Sequence, residues 1–259
     1  MKYVLLLLIT GVCLQAQAIN PQNPFYTPKK GNALLAGGIY WQRENDSTKT
    51  ETQKQFAGMY GIGDSLALTA TIQKQSDEVY GMGDIPTMPA LGIRWTPVFD
   101  KTYTAVDVQY GSKVFSSDSK GYEFIDSQVI VGSIYEQATI GLMAGYRYEF
   151  GGEKNSILTK GGRTVALKYG VIGQYQATKK VSVDFAWTHF AKTRSRQKGG
   201  MIFRQTNPAD IARFGITYAI KEKAFITPFM EYRWYDNTYA SVREKRSDKK
   251  IGVILSVEI

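Results

Sequence analysis

Apolar and polar side chains alternate along most of the chain, from Gly31 to the last residue. In the segment 181–193, for example, Val181 and Val183 share one parity, while Ser182 and Asp184 share the other. A period of two is typical of β-strands that bury one face, and no segment shows the helical period. The pattern predicts twelve strands, at 32–43, 54–63, 65–75, 88–98, 102–113, 122–134, 138–150, 163–176, 181–193, 210–220, 224–235 and 249–259.

The connections between these segments alternate in length without a break. Short connections fall at 63–64, 99–101, 135–137, 177–180 and 221–223, and longer hydrophilic ones at 44–53, 76–87, 116–121, 151–162, 194–209 and 236–248. Barrels of the bacterial outer membrane have short periplasmic turns and longer extracellular loops, whereas a soluble sandwich or propeller requires no such alternation. The sequence therefore predicts an all-β, antiparallel up-and-down transmembrane β-barrel of about twelve strands over residues 31–259.

Three places fit this pattern less well. The predicted strand 122–134 is apolar on both parities near Val129–Val131, and Pro228 interrupts the strand 224–235. Proline removes a donor from the ladder, so it is disfavoured inside a strand. The strand 210–220 also begins without a clear boundary after Pro208. A count of ten or fourteen strands stays open at this stage.

The N-terminus has the features of a secretory signal peptide. Lys2 precedes an apolar run from Val4 to Val12, and Ala16-Gln17-Ala18 supplies the small residues of a cleavage site. We expect cleavage after Ala18, while lipoprotein processing at Cys13 is the alternative. The proline-rich segment 19–30 lacks alternation and is predicted as a periplasmic lead-in, the alternative being that it tucks into the lower mouth of the barrel.

Composition narrows the classes further. The 43% hydrophobic fraction is that of an ordinary globular protein, as expected when an apolar face and a polar face are averaged. One cysteine and one histidine are too few for a disulfide scaffold or a Cys/His zinc site. No apolar run outside the N-terminus approaches the length of a membrane-spanning helix. We expect no metal site and no cofactor.

Parity divides the charged and aromatic residues between two faces. Buried charges must be hydrated or paired, so charges of both signs on the polar parity indicate either a water-filled passage or a network that partly fills the barrel. Tryptophans at strand ends on the apolar parity are typical of interfacial girdles. The predicted lumen-lining set is Arg94, Asp107, Arg147, Glu149, Lys168, Asp184, Arg213, Glu231 and Arg233, with Glu258 on the same face, and the predicted girdle is Trp41, Trp95, Trp187 and Trp234.

Positive charge is concentrated in two predicted surface loops. The chain has a formal charge of +9, and loss of Lys2 with the signal peptide leaves +8. At an outer surface the nearest anionic partner is the phosphate of lipopolysaccharide, and nucleic acid is not expected. The residues predicted to face lipopolysaccharide are Arg194, Arg196, Lys198, Arg243, Lys245 and Arg246.

Over residues 31–259 the chain resembles single-chain bacterial outer-membrane β-barrels. The last segment alternates to the C-terminus, as in the strand that the barrel assembly machinery reads, although Ile259 replaces the usual final aromatic residue. The resemblance implies an outer-membrane location after export, contact with outer-membrane lipids and insertion by that machinery. It also implies the known range of twelve-stranded members, which are substrate-specific channels and barrel enzymes.

An enzymatic role has one candidate residue, His189. It shares a parity with Phe185 and Trp187, which predicts a lipid-facing side chain, and Ala191 stands where a phospholipase-like pattern has a serine. We therefore expect no catalytic residue. The first hypothesis is a porin-like channel for passive diffusion of small hydrophilic solutes. The alternatives are a closed structural or adhesive barrel that binds through its surface loops and, third, an outer-membrane hydrolase. The oligomeric state is left open.

Overall fold

A computed structural model describes residues 23–44, 50–75, 87–99, 102–113, 122–150, 164–191, 193–195, 204–206, 209–239 and 242–259. The predicted signal peptide, residues 1–18, lies outside these ranges. Within them, no residue belongs to a helix long and apolar enough to cross a membrane. The chain forms β-strands, as the alternation predicted.

The barrel wall consists of twelve of the fifteen strands. Their bounds are β1 Ala33–Glu44, β2 Glu51–Gly61, β3 Leu66–Gln75, β4 Thr87–Trp95, β6 Thr102–Lys113, β7 Tyr122–Tyr135, β8 Ala138–Phe150, β9 Thr164–Gln176, β10 Val181–Phe190, β13 Ala209–Lys221, β14 Ala224–Tyr239 and β15 Val242–Glu258. The two-residue strand β5, Val98–Phe99, extends the turn before β6, and β11, Thr193–Ser195, pairs with β12, Arg204–Thr206, as a separate small hairpin.

Every neighbouring pair in the wall is antiparallel, and the sheet closes on itself. Consecutive wall strands pair in order, and β1 pairs with β15 from Leu34 opposite Glu258 to Glu44 opposite Asp248. The predicted up-and-down barrel of twelve strands is therefore confirmed. We call the end that carries the short connections and Ile259 the turn end, and the opposite end the loop end.

One predicted loop is a strand hairpin. Residues 236–248 were expected as a hydrophilic loop, but β14 continues to Tyr239 and β15 begins at Val242. The paired strands are 16 and 17 residues long, whereas about 9 to 11 tilted residues cross a bilayer. The hairpin therefore extends past the other strands at the loop end. Above the membrane neither face meets lipid, so the backbone ladder continues without apolar alternation.

The segment before β1 does not lead away from the barrel. Residues 23–30 lie inside the turn end, with Pro28 fully buried and Phe25 packed against Ala105 and Ile130 of the wall. Gly31 then turns the chain into β1 with a φ of 87°, a left-handed conformation that glycine adopts without strain. This corrects the expectation of a lead-in for these residues. We call residues 23–30 the inner segment.

Candidate functional site: the interior of the barrel

The two faces of the wall differ in chemistry. The outer face carries large exposed apolar side chains, such as Leu91, 69% exposed, and Leu142, 67% exposed. The four predicted girdle tryptophans also lie on it, with Trp41, Trp187 and Trp234 towards the loop end and Trp95 at the turn end. An outer surface this apolar is stable against lipid, and the polar groups of the wall accordingly face inward.

A buried ion pair joins β4 to β6 on the inner face. Arg94 donates two hydrogen bonds to Asp107, from Nε at 2.7 Å and from Nη2 at 3.0 Å. Gln128 donates a third hydrogen bond to the same carboxylate at 2.9 Å. The side chains of Arg94 and Asp107 are only 13% and 8% exposed, so this bidentate pairing is what makes their burial tolerable.

A second cluster lies further round the wall, on β7, β8 and β9. Lys168 donates to Asp126 at 2.7 Å, and Arg147 lies 3.9 Å from the other oxygen of that carboxylate. The Arg147 guanidinium also stacks over the ring of Phe124 at 4.1 Å from the ring centre. Asp126 therefore lies between two cations of the predicted inner set, Lys168 and Arg147.

On the opposite wall, a chain of amides connects four strands. Gln73 donates to the Tyr40 hydroxyl at 2.6 Å and to Gln53 at 3.0 Å. Gln53 donates to Gln42, which in turn donates to Asp248 at 2.9 Å. These hydrogen bonds run across the wall from β3 to β15 and hold the inner polar side chains in place. Asp248 is the charged member of this chain, and the other side chains are neutral.

Two further acids occupy β10 and β14. Glu231 forms an ion pair with Lys250 at 3.0 Å, and Lys250 lies 4.7 Å from the ring centre of Tyr40. Asp184 is buried and accepts a long hydrogen bond from Thr217 at 3.4 Å. A side chain at Gly215, opposite Asp184 in the register, would collide with that carboxylate.

The structure thus places eight of the nine predicted lumen residues on the inner face: Arg94, Asp107, Arg147, Lys168, Asp184, Arg213, Glu231 and Arg233. The side chain of Glu149 lies outside the described residues. Glu258 is also inward and buried, where it accepts a hydrogen bond from Asn32 at 2.8 Å. Their shared location agrees with the parity of the strands.

Three inner charges were missed by the prediction. The parity of the strands was a sufficient signal for two of them. Asp126 lies two positions before the inward Gln128, and Lys250 lies next to the outward Ile251. Asp248 lay in the segment expected to be a loop. With these included, the described strands of the wall place six cations and six anions on the inner face, namely Arg94, Arg147, Lys168, Arg213, Arg233 and Lys250 against Asp107, Asp126, Asp184, Glu231, Asp248 and Glu258. Lys29, Asp64 and Glu136, outside these strands, line the cavity at the turn end.

The inner segment is fixed by side chains from several strands. Asn23 donates hydrogen bonds to Thr139 at 3.2 Å and to Gln174 at 3.1 Å. Thr27 shares a hydrogen bond of 2.7 Å with Thr96, and Arg94 reaches the Tyr26 carbonyl at 3.4 Å. These contacts engage β8, β9 and β4 and the turn that follows β4, so the segment is anchored on more than one side of the barrel.

The apolar part of this anchor explains an irregularity in the sequence. Val129 and Val131 face outward, while Ile130 between them is 2% exposed and packs with Phe25. The rings of Tyr103 and Phe25 are in contact, with 5.8 Å between their centres, and Met143 and Ile172 also pack against this cluster. The break in alternation at 129–131 was thus the sequence signal for a docked apolar side chain.

Tyr26 lies against Glu258 within this part of the barrel. Burial raises the pKa of the Tyr26 phenol above its ordinary value, and the facing Glu258 carboxylate adds to the rise. The phenol therefore stays neutral across the physiological pH range. The inner segment contributes no negative side-chain charge to the turn end.

The interior of the barrel contains cavities. One of about 340 Å³ lies beside the inner segment, and a second of about 340 Å³ lies beneath Arg213 and Lys250. A third of about 180 Å³ lies beside Arg94 and shares Leu34 and Met59 with the second. Each can hold several water molecules or a small solute. Residues of the inner segment line the first of these cavities, so the segment occupies part of the interior at the turn end.

His189 faces outward, as predicted. Its Nδ1 lies 3.0 Å from Asp210 Oδ1, and its ring lies 4.9 Å from that of Tyr169 and 6.3 Å from that of Trp187. A histidine held by an aspartate is two parts of a hydrolytic triad. None of these neighbours supplies the serine or cysteine nucleophile, and the pair lies on the opposite side of the wall from the polar interior. Among the described residues, no group of three or more His, Cys, Asp and Glu side chains could hold a metal ion.

The predicted basic surface residues fall where side chains are not described. Arg196 and Lys198 lie outside the described residues. Only the backbone is described for Arg194 in β11 and for Arg243, Lys245 and Arg246 in β15. Their contact with lipopolysaccharide stays a prediction.

Comparison with known proteins shows the fold. No family model matches the chain, and no curated protein matches it in sequence. An outer-membrane channel from Pseudomonas putida F1 is similar in structure, with a TM-score of 0.67 and 9% sequence identity over 93% of this chain and 100% of that one. The NanC porin is similar with a TM-score of 0.56 and 10% identity over 85% of this chain and 98% of its own. These similarities show that the chain has the β-barrel fold of the two outer-membrane proteins.

Proposed function

We propose that this barrel is an outer-membrane channel for passive diffusion of small hydrophilic solutes, narrowed at its turn end by the inner segment. The observation that carries the proposal is the inner face itself, where described cations and anions are equal in number and amides fill the gaps between them. Such a surface hydrates a passing solute and repels neither sign of charge strongly. The lining role of Arg94, Asp107, Arg147, Lys168, Asp184, Arg213, Glu231 and Arg233 belongs to this proposal.

The cavities support the same function. Three cavities of molecular size lie along the interior. The short ion pairs join strands that are neighbours or next neighbours, so none of them reaches across the barrel. A barrel that served only as a rigid scaffold for surface loops would gain stability from apolar filling, because buried ion pairs contribute little against well-packed apolar residues. Lipids of the outer membrane surround the outer face, and the basic surface residues are proposed to contact lipopolysaccharide.

The test is single-channel recording in a planar lipid bilayer. The mature chain, refolded from Ile19 onward, is expected to give discrete conductance steps in potassium chloride. Folding is checked beforehand by the difference in gel mobility between heated and unheated protein. Folded protein that inserts and gives no steps would show that the proposed channel is wrong. Heat-unfolded protein from the same preparation is the control for detergent artefacts.

The structural comparisons and the outward His189 favour a channel over a hydrolase. If the barrel were instead a hydrolase built on the His189–Asp210 pair, turnover of phospholipid or peptide would be abolished in a His189→Ala variant. We expect the mature barrel to show no such turnover.

A further inference from the structure

The cavity of about 340 Å³ beneath Arg213 and Lys250 has two chemically different halves. Its lower lining is mainly apolar, with Leu34, Met59 and Ile254, and Leu34 is only 5% exposed. Gln55 and Ser256 are the polar residues beside them. Its upper lining carries the guanidinium of Arg213 beside the Lys250–Glu231 ion pair. A molecule that fills this space must therefore be apolar at one end and polar at the other.

Arg213 differs from its neighbours in how its charge is satisfied. Arg94, Lys168 and Lys250 each form a short ion pair with a carboxylate on the inner face. Within the described part of the chain, Nε and one Nη of Arg213 are buried without any hydrogen-bond partner. Glu231 stands opposite Arg213 in the register, but its carboxylate is engaged by Lys250.

The orientation of Arg213 is nevertheless fixed. Its guanidinium stacks over the ring of Phe229 at 4.5 Å from the ring centre, and Phe229 is itself 7% exposed. Buried donors without acceptors cost free energy, and a guanidinium is suited to binding a carboxylate through two parallel hydrogen bonds. The buried Nε and Nη of this fixed guanidinium have no acceptor among the described residues, so a ligand in the cavity can supply one.

We propose that this cavity is a binding site for a small organic carboxylate, with its carboxylate at Arg213 and its aliphatic body between Leu34, Met59 and Ile254. As the site of a transported solute, the cavity deepens the proposed channel function and rests on it. Glu231 and Asp184 place negative charge near the site, so binding depends on the directed donors of Arg213 rather than on a general positive potential.

The test measures binding without any current. Radiolabelled hexanoate is equilibrated by dialysis against the mature barrel in lipid nanodiscs, with empty nanodiscs as the blank. Hexanamide keeps the aliphatic body and lacks the charge, and acetate keeps the charge and lacks most of the body. We expect each to bind at least about tenfold more weakly than hexanoate, because each loses one half of the recognition. Equal binding of hexanoate and either analogue would overturn the assigned ligand class.

Variants locate the site. Arg213→Gln should weaken hexanoate at least about tenfold and leave hexanamide unchanged. Lys221→Gln is the matched control, because it removes the same charge from the exposed end of the same strand, and it should change neither. An equal loss in both variants, or none in Arg213→Gln, would contradict the proposal. Should Arg213→Gln not fold, Met59→Thr must weaken hexanoate and leave acetate unchanged for the proposal to stand.

The two proposals fail separately. Hexanoate binding by a barrel that gives no conductance steps would remove the channel and keep the site as a ligand pocket. Conductance steps from a barrel that does not bind hexanoate would remove the site and keep the channel.

Discussion

At the scale of single residues, the interior depends on a few pairs whose members cannot be exchanged independently. Asp107 accepts hydrogen bonds from both Arg94 and Gln128, and its side chain is 8% exposed. Its charge is tolerated because three hydrogen bonds replace the water that it lost.

Removal of one partner of this pair gives the first prediction. Arg94→Met should lower the free energy of unfolding by about 3–5 kcal/mol, because it leaves a buried carboxylate without its counter-charge. Urea unfolding in lipid bilayers, followed by tryptophan fluorescence, measures the effect. The double variant Arg94→Met with Asp107→Leu should recover most of the loss. A single variant as stable as the parent would show that Asp107 is hydrated rather than held by Arg94.

Glycines on the wall differ in what surrounds them, which gives a matched pair. A side chain at Gly132 would collide with the backbone of Ile140 and Gly141, whereas one at Gly58 would meet Leu35 at 3.6 Å, an ordinary contact. Gly132→Ala should therefore destabilise the barrel by about 1–3 kcal/mol, and Gly58→Ala should be neutral or slightly stabilising. The same unfolding assay distinguishes the two. Equal effects would mean that β7 and β8 shift apart without cost.

At the scale of elements, periodicity determined what could be predicted. Strands between two different environments alternate, so their positions followed from the sequence within a few residues. The inner segment has no such period, because its residues dock by fit to particular partners on distant strands, such as Asn23 to Thr139 and Gln174. The hairpin beyond the membrane likewise loses the signal, since water meets both of its faces. Ion pairs on the inner face, such as Lys168 with Asp126, depend on the register between strands. The sequence of a single strand does not contain that register.

The inner segment gives the third prediction. A barrel that begins at Gly31 should conduct more than one that begins at Ile19, because it lacks the side chains of residues 23–30 at the turn end. Phe25→Ser is a milder variant that removes the apolar anchor at Ile130 and should raise conductance or increase current fluctuation. Single-channel recording measures both. Unchanged conductance in the truncated barrel would place the narrowest point elsewhere.

At the scale of the whole molecule, the balance of inner charges governs ion preference. Six described cations face six described anions, so the field along the interior largely cancels. Under a potassium chloride gradient we expect a reversal potential near zero. Changing Arg147 and Arg213 together to glutamate should shift it towards cation selectivity. An unchanged reversal potential would remove both residues from the conducting path. Lys180→Glu, in an exposed turn, is the control for charge outside the interior.

The fold of the whole molecule followed from local alternation and from the alternating lengths of its connections, but its interior did not. Parity assigned Arg94, Lys168 and Glu231 to the inside without indicating their partners. Arg213 carried the same sequence signal as these residues, yet it lacks the acceptor that they have. The difference lies in the partner of Glu231, which stands opposite Arg213 in the register but forms its ion pair with Lys250.

The covalent link between the inner segment and β1 has one more consequence. Only Gly31 and Asn32 join the docked residues to the wall, so the segment acts as a tethered ligand whose effective concentration at the turn end is about millimolar or higher. A solute that competes for the same contacts must exceed that concentration or bind correspondingly better. In a mature chain that begins at Ile19, as the signal peptide predicts, one proteolytic cut at this junction would release the inner segment as a free peptide and leave every wall strand in place.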